Sequence, residues 1–186
     1  MELISFIRQH VQLPSEMEAA LDHAFKREEH PKHHKLLQPD NWSKKVCFVE
    51  QGLVRTYYLK DGKDITHHFF PENAFNMPIE SIFYGHTSPY GVELLENSVV
   101  RTINYPDVEK YFGQSSELEK FIRFLLIDVL KSFSDRLYAL QFQSAQERYK
   151  TMIDNYPNIL LRAPLGNVAS YLGITQETLS RIRAAR

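Results

Sequence analysis

Apolar residues recur along the chain with two different periods. Helical spacing over residues 2–10 predicts a short helix, and Ser15 to Glu18 is typical of a capping box that starts a second helix running towards Phe25. Between about residues 35 and 104, short runs rich in β-formers are separated by turn signals. The strongest of these signals is Asp61-Gly62, because glycine tolerates a positive φ. So many short strands predict a small sandwich or barrel.

Three smaller features fill in this region. Residues 26–34 are charged and rich in His, which predicts a loop. One helical turn is expected near Ile79–Phe83. Two further strands, Tyr90–Leu95 and Ser98–Asn104, are expected to be joined by a tight turn at Glu96-Asn97.

A long helical pattern begins near Ser115 and continues to about Leu140. Further apolar residues widen its stripe, so the helix should cover two surfaces, and one of these could be a second copy of the chain. The alternative is that the helix only packs across its own sheet. A seam with the 4-3-4 spacing of a coiled coil predicts the pairing residues Leu118, Ile122, Leu125, Val129 and Phe133.

The last 23 residues carry the pattern of a helix-turn-helix. Ala169 supplies the small side chain needed where two helices cross, and Gly173, four residues later, allows the positive φ of the turn. Thr175 is a good N-cap for the second helix. Leu179 and Ile182 should pin that helix to the first.

The second helix of this motif should expose side chains that can hydrogen-bond to bases. Gln can pair with adenine, Arg with guanine, and Glu can accept a bond from cytosine. The alternative is an ordinary helical hairpin with a solvated outer face. The candidate DNA-binding residues are Thr175, Gln176, Glu177, Ser180, Arg181 and Arg183.

Composition narrows the class of protein. The formal net charge of -1 excludes general attraction to nucleic acid, so DNA binding would need a local basic patch. Cys47 is the only cysteine, which excludes a disulfide framework and any site needing four cysteines from one chain. Charged residues interrupt the apolar N-terminus, so a secretory signal is not expected, and no apolar run approaches the length of a membrane span. We therefore expect a cytoplasmic protein.

The C-terminal segment VASYLGITQETLSRIR strongly resembles the helix-turn-helix of the Crp/Fnr family of transcription regulators, especially its short branch in Bacteroidetes-like bacteria. QGLVRTYYLKDGKDITHHF resembles the β-roll of that branch, and SAQERY resembles the start of the helix after the dimerisation helix. The resemblance covers nearly the whole chain. It implies an α+β fold with a double-stranded β-roll like that of cyclic-nucleotide-binding domains and flanking helices, then a dimerisation helix and a winged helix-turn-helix, over residues 1–114, 115–143 and 144–186.

The resemblance also implies partners and DNA-reading residues. The partners are a palindromic double-stranded DNA site, a second copy of the chain and RNA polymerase, with no membrane. Gln176, Glu177, Ser180 and Arg181 occupy the positions that read DNA in the family. Members that respond to cyclic AMP have Arg where this chain has Gln176, so its base preference should differ.

The effector site departs from the family pattern. Cyclic-nucleotide binders use an Arg to grip the phosphate, and this chain has no Arg between Arg55 and Arg101. Binding of cyclic AMP in the usual way is therefore not expected, and the effector is unknown. A single cysteine excludes the cysteine cluster of the family's oxygen sensors, whereas haem stays open without support; no cofactor is predicted. The weakly indicated effector-pocket residues are Glu80, Ser81, Ser88 and Tyr90.

Other chemistry has little support. His30, His33 and His34, with His67 and His68 on a strand, could suggest a metal site, but adjacent His on a strand should point to opposite faces, and no metal is predicted. No motif organises a catalytic constellation, so we do not expect an enzyme. The alternative to a DNA-binding regulator is a small-molecule sensor or protein-interaction module with a vestigial helix-turn-helix.

Overall fold

The computed structural model describes residues 1–185, and it confirms an α+β fold. Two antiparallel four-stranded sheets form the β-roll, with strand orders β1-β8-β3-β6 and β2-β7-β4-β5. The strands are β1 Lys26–His30, β2 Lys35–Leu37, β3 Lys45–Gln51, β4 Val54–Lys60, β5 Lys63–Phe70, β6 Phe75–Asn76, β7 Gly91–Leu94 and β8 Ser98–Asn104. The helices are α1 Leu3–Arg8, α2 Ser15–Ala24, α3 Ile79–Phe83, α4 Tyr105–Glu109, α5 Ser116–Phe142, α6 Ala145–Asn155, α7 Ile159–Arg162, α8 Leu165–Leu172 and α9 Gln176–Ala184.

The predicted hairpin joins β4 and β5. Lys60 pairs with Lys63, and the two residues between them have positive φ, 52° at Asp61 and 72° at Gly62. This is the two-residue turn that matches the right-handed twist of the flanking strands. The sequence prediction of a hairpin here is confirmed.

The expectation of a loop over residues 26–34 was wrong for its first five residues, which form β1. β1 lies at the edge of its sheet and pairs along its whole length with β8. Its charged side chains find partners on the sheet surface: Arg27 binds Glu29 at 2.6 Å, and Glu28 accepts a hydrogen bond from Thr102. A charged edge strand resists pairing with another chain, but its composition alone looks like that of a loop.

Two local predictions also need correction. The N-cap of α2 is Pro14, so Ser15 is already the first helical residue and makes no side-chain cap, and Glu18 forms an ion pair with Arg8 at 2.6 Å. The turn at Glu96-Asn97 does not join paired strands. β7 and β8 belong to different sheets, so this turn carries the chain from one sheet to the other.

Helix α5 begins where the sequence predicts. The Ser115 hydroxyl accepts a hydrogen bond from the backbone N–H of Leu118, and the helix then runs for 27 residues. Leu118 and Phe121 are buried against α1, α2 and the roll. Many other apolar residues of the helix are at least partly exposed, so the apolar surface of α5 extends beyond the stripe that packs on the roll. The exposed apolar residues are Phe124, Leu126, Ile127, Val129, Leu130, Leu137, Tyr138, Leu140 and Phe142.

The residues predicted for the pairing seam mostly face the chain's own roll. Leu118 is 4% exposed, while Ile122 and Leu125 pack against the same apolar cluster. The Phe133 ring lies 5.5 Å from the ring of His67. Val129 lies on this side as well, although it is 36% exposed. A row turned towards solvent is therefore better placed to meet a second copy.

Arg55 lies buried on one face of the second sheet. Its Nε donates to Glu93 at 2.9 Å, and its Nη1 donates to Asp64 at 2.5 Å and to Thr66 at 3.0 Å. Its guanidinium also lies 4.6 Å from the centroid of the Tyr57 ring. Two carboxylates thus surround the guanidinium, and Arg55 as a whole residue is only 4% exposed.

We predict that Arg55→Met lowers the free energy of unfolding by about 3–5 kcal/mol, because Glu93 is left charged and buried without its partner. Urea denaturation followed by circular dichroism measures the change. Arg8→Met is the matched control: its ion pair with Glu18 is exposed, so about 1 kcal/mol or less is expected. Equal losses in the two variants would contradict a strong buried network.

Candidate nucleic-acid interface

The helix-turn-helix consists of α8, a short turn and α9. Gly173 ends α8 in the left-handed conformation with φ 67°, and Ile174 donates its backbone N–H to the carbonyl of Ala169 at 3.0 Å. A Cβ on Gly173 would meet only Leu140 at an ordinary 3.6 Å, so the positive φ and not crowding favours glycine. The Thr175 hydroxyl accepts a hydrogen bond from the N–H of Thr178 and caps α9.

A small apolar core holds the two helices together. Ala169 is 2% exposed at the crossing, and Leu179 from α9 is fully buried. Val168 and Leu172 complete the buried face of α8, and Ile182 packs at its margin. The predicted positions of the crossing, the turn and the cap are confirmed.

The opposite face of α9 is turned to solvent. Gln176, Glu177, Ser180, Arg181 and Arg183 are all exposed, as is the capping Thr175. A hydrogen bond with Thr175 is the main cause that lowers the pKa of the Glu177 carboxyl, and the charge of Arg181 adds to it. Arg181 donates to the Thr178 hydroxyl at 3.2 Å, a weak bond that leaves its other donors available. The fold therefore presents the six candidate residues together, and their contact with DNA stays a prediction.

Helices α6 and α7 support the motif from behind. α6 begins with a reciprocal capping box between Ser144 and Glu147 and ends before the Pro157 turn, as predicted. The short α7 was not predicted, because its four residues are too few to show helical periodicity. Tyr149, Met152 and Ile159 from these helices lie in the same buried cluster as α8 and α9.

The helix-turn-helix unit is attached to the β-roll by contacts that local sequence patterns do not show. Arg162 forms ion pairs with Glu96 at 2.6 Å and Glu72 at 2.7 Å, and these carboxylates raise the pKa of its guanidinium. The Ser170 hydroxyl accepts a hydrogen bond from the backbone N–H of Thr66 at 2.8 Å. Three roll residues, Leu53, Phe69 and Leu95, share the buried cluster of the motif.

Helix α5 also contacts the helix-turn-helix. The Arg136 guanidinium lies 3.8 Å from the centroid of the Tyr171 ring and donates to its carbonyl at 2.9 Å. Arg148, on α6, donates to the carbonyl of Leu172 at 2.9 Å. The end of α8 is therefore held by α5 and α6 together, and a movement of α5 would be transmitted to the motif.

The four candidate effector residues fall into two groups according to their surroundings. Ser81 and Ser88 are buried and occupied within the fold: Ser81 accepts from the N–H of Ser43 at 3.4 Å, and Ser88 donates to the carbonyl of Tyr90 at 3.0 Å. Glu80 and Tyr90 instead line a cavity of about 570 Å³ between α5 and the roll. The structure separates the four into two packing residues and two cavity residues.

Known proteins resemble this chain in sequence and in fold. No protein-family model matches the chain. The fumarate and nitrate reduction regulatory protein of Escherichia coli strain K12 is 23% identical over 150 residues, 75% of this chain, as is that of Salmonella typhimurium. The match spans 60% of the length of these relatives.

Solved structures agree on the fold. FixK2 from Bradyrhizobium japonicum superposes with a TM-score of 0.75 at 21% identity, over 87% of this chain and 83% of that one. The Thermus thermophilus catabolite activator protein superposes with a TM-score of 0.58 at 18% identity, over 96% of this chain and 85% of that one. A protein from Eubacterium rectale assigned to the Crp/Fnr family gives 0.66 at 14% identity, over 91% and 82%. The chain therefore has the fold of these regulators, and its sequence resembles theirs distantly.

Within this Crp/Fnr fold, residues 1–185 hold no group of three or more His, Cys, Asp or Glu side chains arranged to bind a metal. Cys47 is buried, and burial raises the pKa of its thiol to about 12. None of the described helices is long and apolar enough to cross a bilayer.

The prediction that His67 and His68 point to opposite faces of their strand was wrong. The register of β4 and β5 shifts between Thr56, which pairs with His68, and Tyr57, which pairs with Thr66. His67 is the extra residue of this β-bulge, and both imidazoles lie within 5.5 Å of the Phe133 ring instead of pointing to opposite faces. Burial, with the charges of Arg136 and His67, lowers the pKa of His68 to about 3.

This depressed pKa predicts a loss of stability in acid. His68 binds its proton in the unfolded chain near pH 6.5 but in the folded Crp/Fnr roll only near pH 3. The free energy of unfolding should therefore fall as the pH drops below about 6.5, with His68 contributing about 2 kcal/mol of the loss between pH 7 and pH 5. Chemical denaturation at the two pH values measures it.

The control variants separate His68 from other groups. His68→Gln should remove about that much of the pH dependence, whereas His86→Gln, at an exposed position, should keep it. An unchanged pH dependence in His68→Gln would mean that the imidazole is charged or solvated in the folded protein.

Proposed function

We propose that this chain is a homodimeric, sequence-specific DNA-binding transcription regulator. One observation carries the proposal: α9 is pinned by a buried inner face and capped by Thr175, while its outer face presents Gln176, Glu177, Ser180 and Arg181 to solvent. The first residues of such a helix are the ones that meet base edges in the major groove. The likeness to regulators of the Crp/Fnr fold supports the same conclusion.

The distribution of charge supports DNA binding by this face alone. Arg181 and Arg183 are exposed on α9, whereas Arg162 is held by Glu72 and Glu96 and does not face solvent freely. Since the whole chain has a net charge of -1, binding to DNA needs a local group of exposed cations, and the two Arg of α9 supply one beside the candidate base-reading residues. Such an arrangement favours a specific complex over general coating of DNA.

The exposed side of α5 supports a homodimer. Leu126, Leu130 and Leu137 follow one another at helical spacing and are 52%, 70% and 57% exposed. A row of leucines of this size on one helix is typical of an interface between copies. Pairing two copies along α5 would place two α9 helices to read half-sites about one DNA turn (~34 Å) apart in a palindrome.

The proposal assigns a separate role to each of three segments of the chain. Residues 1–114 form the sensor roll, residues 115–143 pair the copies, and residues 144–186 bind DNA. Regulators of this fold act at promoters, so RNA polymerase is the further protein partner that the proposal entails. Because its target is chromosomal DNA, we place the protein in the bacterial cytoplasm.

The second candidate is a small-molecule sensor or protein-interaction module whose helix-turn-helix no longer binds DNA. The cavity between α5 and the roll favours a sensor of some kind, with or without DNA binding. Selection of random duplexes by the purified protein, followed by sequencing, separates the two. Enrichment of a palindrome, with affinity that falls steeply with salt, supports the regulator. A folded dimer that enriches no sequence, with or without a ligand in the cavity, supports the module.

We predict that Arg181→Ala weakens binding to the selected site by about 1–3 kcal/mol, because one base pair loses its bidentate partner. Fluorescence anisotropy on the selected site and on a scrambled duplex measures the change. Arg8→Ala removes an exposed Arg far from α9 and should leave both affinities unchanged. Equal losses on the two duplexes would make Arg181 a phosphate contact instead.

We predict that Leu130→Asp disrupts the homodimer, because it places a charge in the centre of the exposed leucine row. Sedimentation equilibrium should show a shift from dimer to monomer, and affinity for the palindrome should fall by at least about tenfold as one half-site contact is lost. Leu59→Asp is the matched control, since Leu59 is 61% exposed on β4, away from α5. A dimer that survives Leu130→Asp would place the interface elsewhere.

A further inference from the structure

A cavity of about 570 Å³ lies between α5 and the β-roll. Its walls are apolar, with Ile122, Leu125 and Phe133 from α5 facing Val46 and Phe70 from the roll. A cavity of this size can hold a small organic molecule. Several polar residues of the lining lie close together: the Tyr58 ring is 5.2 Å from the His67 ring and 6.0 Å from the Tyr90 ring, and Glu80 lies near both tyrosines.

Glu80 is the polar group that the fold leaves without a partner. Its Oε2 oxygen is buried and makes no hydrogen bond to any described residue. Tyr90 cannot serve it, because the Tyr90 hydroxyl donates to the carbonyl of Met77 at 2.9 Å. A buried carboxylate oxygen without a donor is costly, so a donor supplied by a ligand would be bound favourably.

The charges around the cavity exclude an anionic ligand. None of the described residues that line it is Arg or Lys. On β4, Arg55 is bound to Glu93 and Asp64, while Thr56 and Tyr58 are the residues of that strand that reach the cavity. Alternate residues of a strand face opposite sides of the sheet, so Arg55 points away from the cavity. A phosphate placed here would meet a carboxylate and no cation.

Two phenols of the cavity wall, Tyr58 and Tyr90, stay protonated at neutral pH. Burial first, and then the charge of Glu80, raise the pKa of both the Tyr58 and the Tyr90 hydroxyls. Both phenols therefore stay neutral and can donate hydrogen bonds. The polar part of the wall combines one carboxylate with neutral groups, which suits a cationic partner.

We infer that this cavity binds an apolar small molecule carrying one primary amine, with the ammonium group donating to Glu80 and the apolar body packed between α5 and the roll. The regulatory meaning of this site rests on the proposed function: a ligand that contacts both Phe133 and Glu80 would fix α5 relative to the roll. Because Arg136 of α5 holds Tyr171 of α8, the position of α5 also sets that of the helix-turn-helix.

Isothermal titration calorimetry with matched probes tests the inference on the full chain. The probes are naphthylethylamine, naphthylpropionate and cyclic AMP, so that the first two share an apolar body and differ in the sign of the charge. We expect binding of the amine only. Glu80→Gln should weaken the amine by roughly tenfold or more, because the charge-assisted bond is lost. Glu109→Gln, on the outer surface of α4, should leave its affinity unchanged.

Each other outcome overturns the inference. Binding of naphthylpropionate or cyclic AMP as tight as that of the amine would show that Glu80 does not select charge. An amine affinity unchanged in Glu80→Gln would show that the carboxylate takes no part, and absence of amine binding at millimolar concentration would show that the cavity takes no such ligand. Circular dichroism and DNA selection on the same variant keep folding and the proposed function separate, since both should be unaffected by Glu80→Gln without ligand.

Discussion

Helix α5 has to cover two surfaces at once, and the arrangement of the rest of the molecule depends on this constraint. Leu118 and Phe121 close the apolar cluster beneath α1 and α2, and Phe133 packs on the imidazoles of β5. Leu126, Leu130 and Leu137 of the same helix are each more than half exposed within residues 1–185. Because burial of apolar surface is the dominant favourable term in folding and association, one helix here serves both the fold and the proposed dimer. The roll, the cavity and the helix-turn-helix are all positioned against it.

The helix-turn-helix is attached to the roll and to α5 by side chains that lie far apart in sequence. Arg162 reaches two carboxylates on roll loops, Ser170 binds the backbone of β5, and Arg136 of α5 stacks on Tyr171. These contacts come from three parts of the chain that lie far apart in sequence. A change at the junction of α5 and the roll would therefore alter the orientation of α9, which is the physical requirement for a sensor that controls DNA binding.

The two faces of β4 differ in charge. Arg55 of β4 is paired with Glu93 and Asp64 on the face away from the cavity, whereas the Oε2 oxygen of Glu80 has no partner on the cavity side. The proposed preference of the cavity for a cationic ligand rests on this separation of charge.

The sequence by itself determined the elements that depend on local chemistry. The α+β class, the Asp61-Gly62 hairpin, the start of α5 at Ser115 and the turn of the helix-turn-helix at Gly173 all follow from φ preferences, caps and periodicity, which act within a few residues. The exposed face of α9 follows from the same periodicity. Only the tertiary structure decided features that depend on residues far apart. These are the charged strand β1, stabilised by pairing with β8, the bulge that turns both His67 and His68 to Phe133, and the side of α5 that faces the roll. A helix with apolar residues on two sides has no local signal for which side is inward, because the choice is made by the surfaces that pack against it.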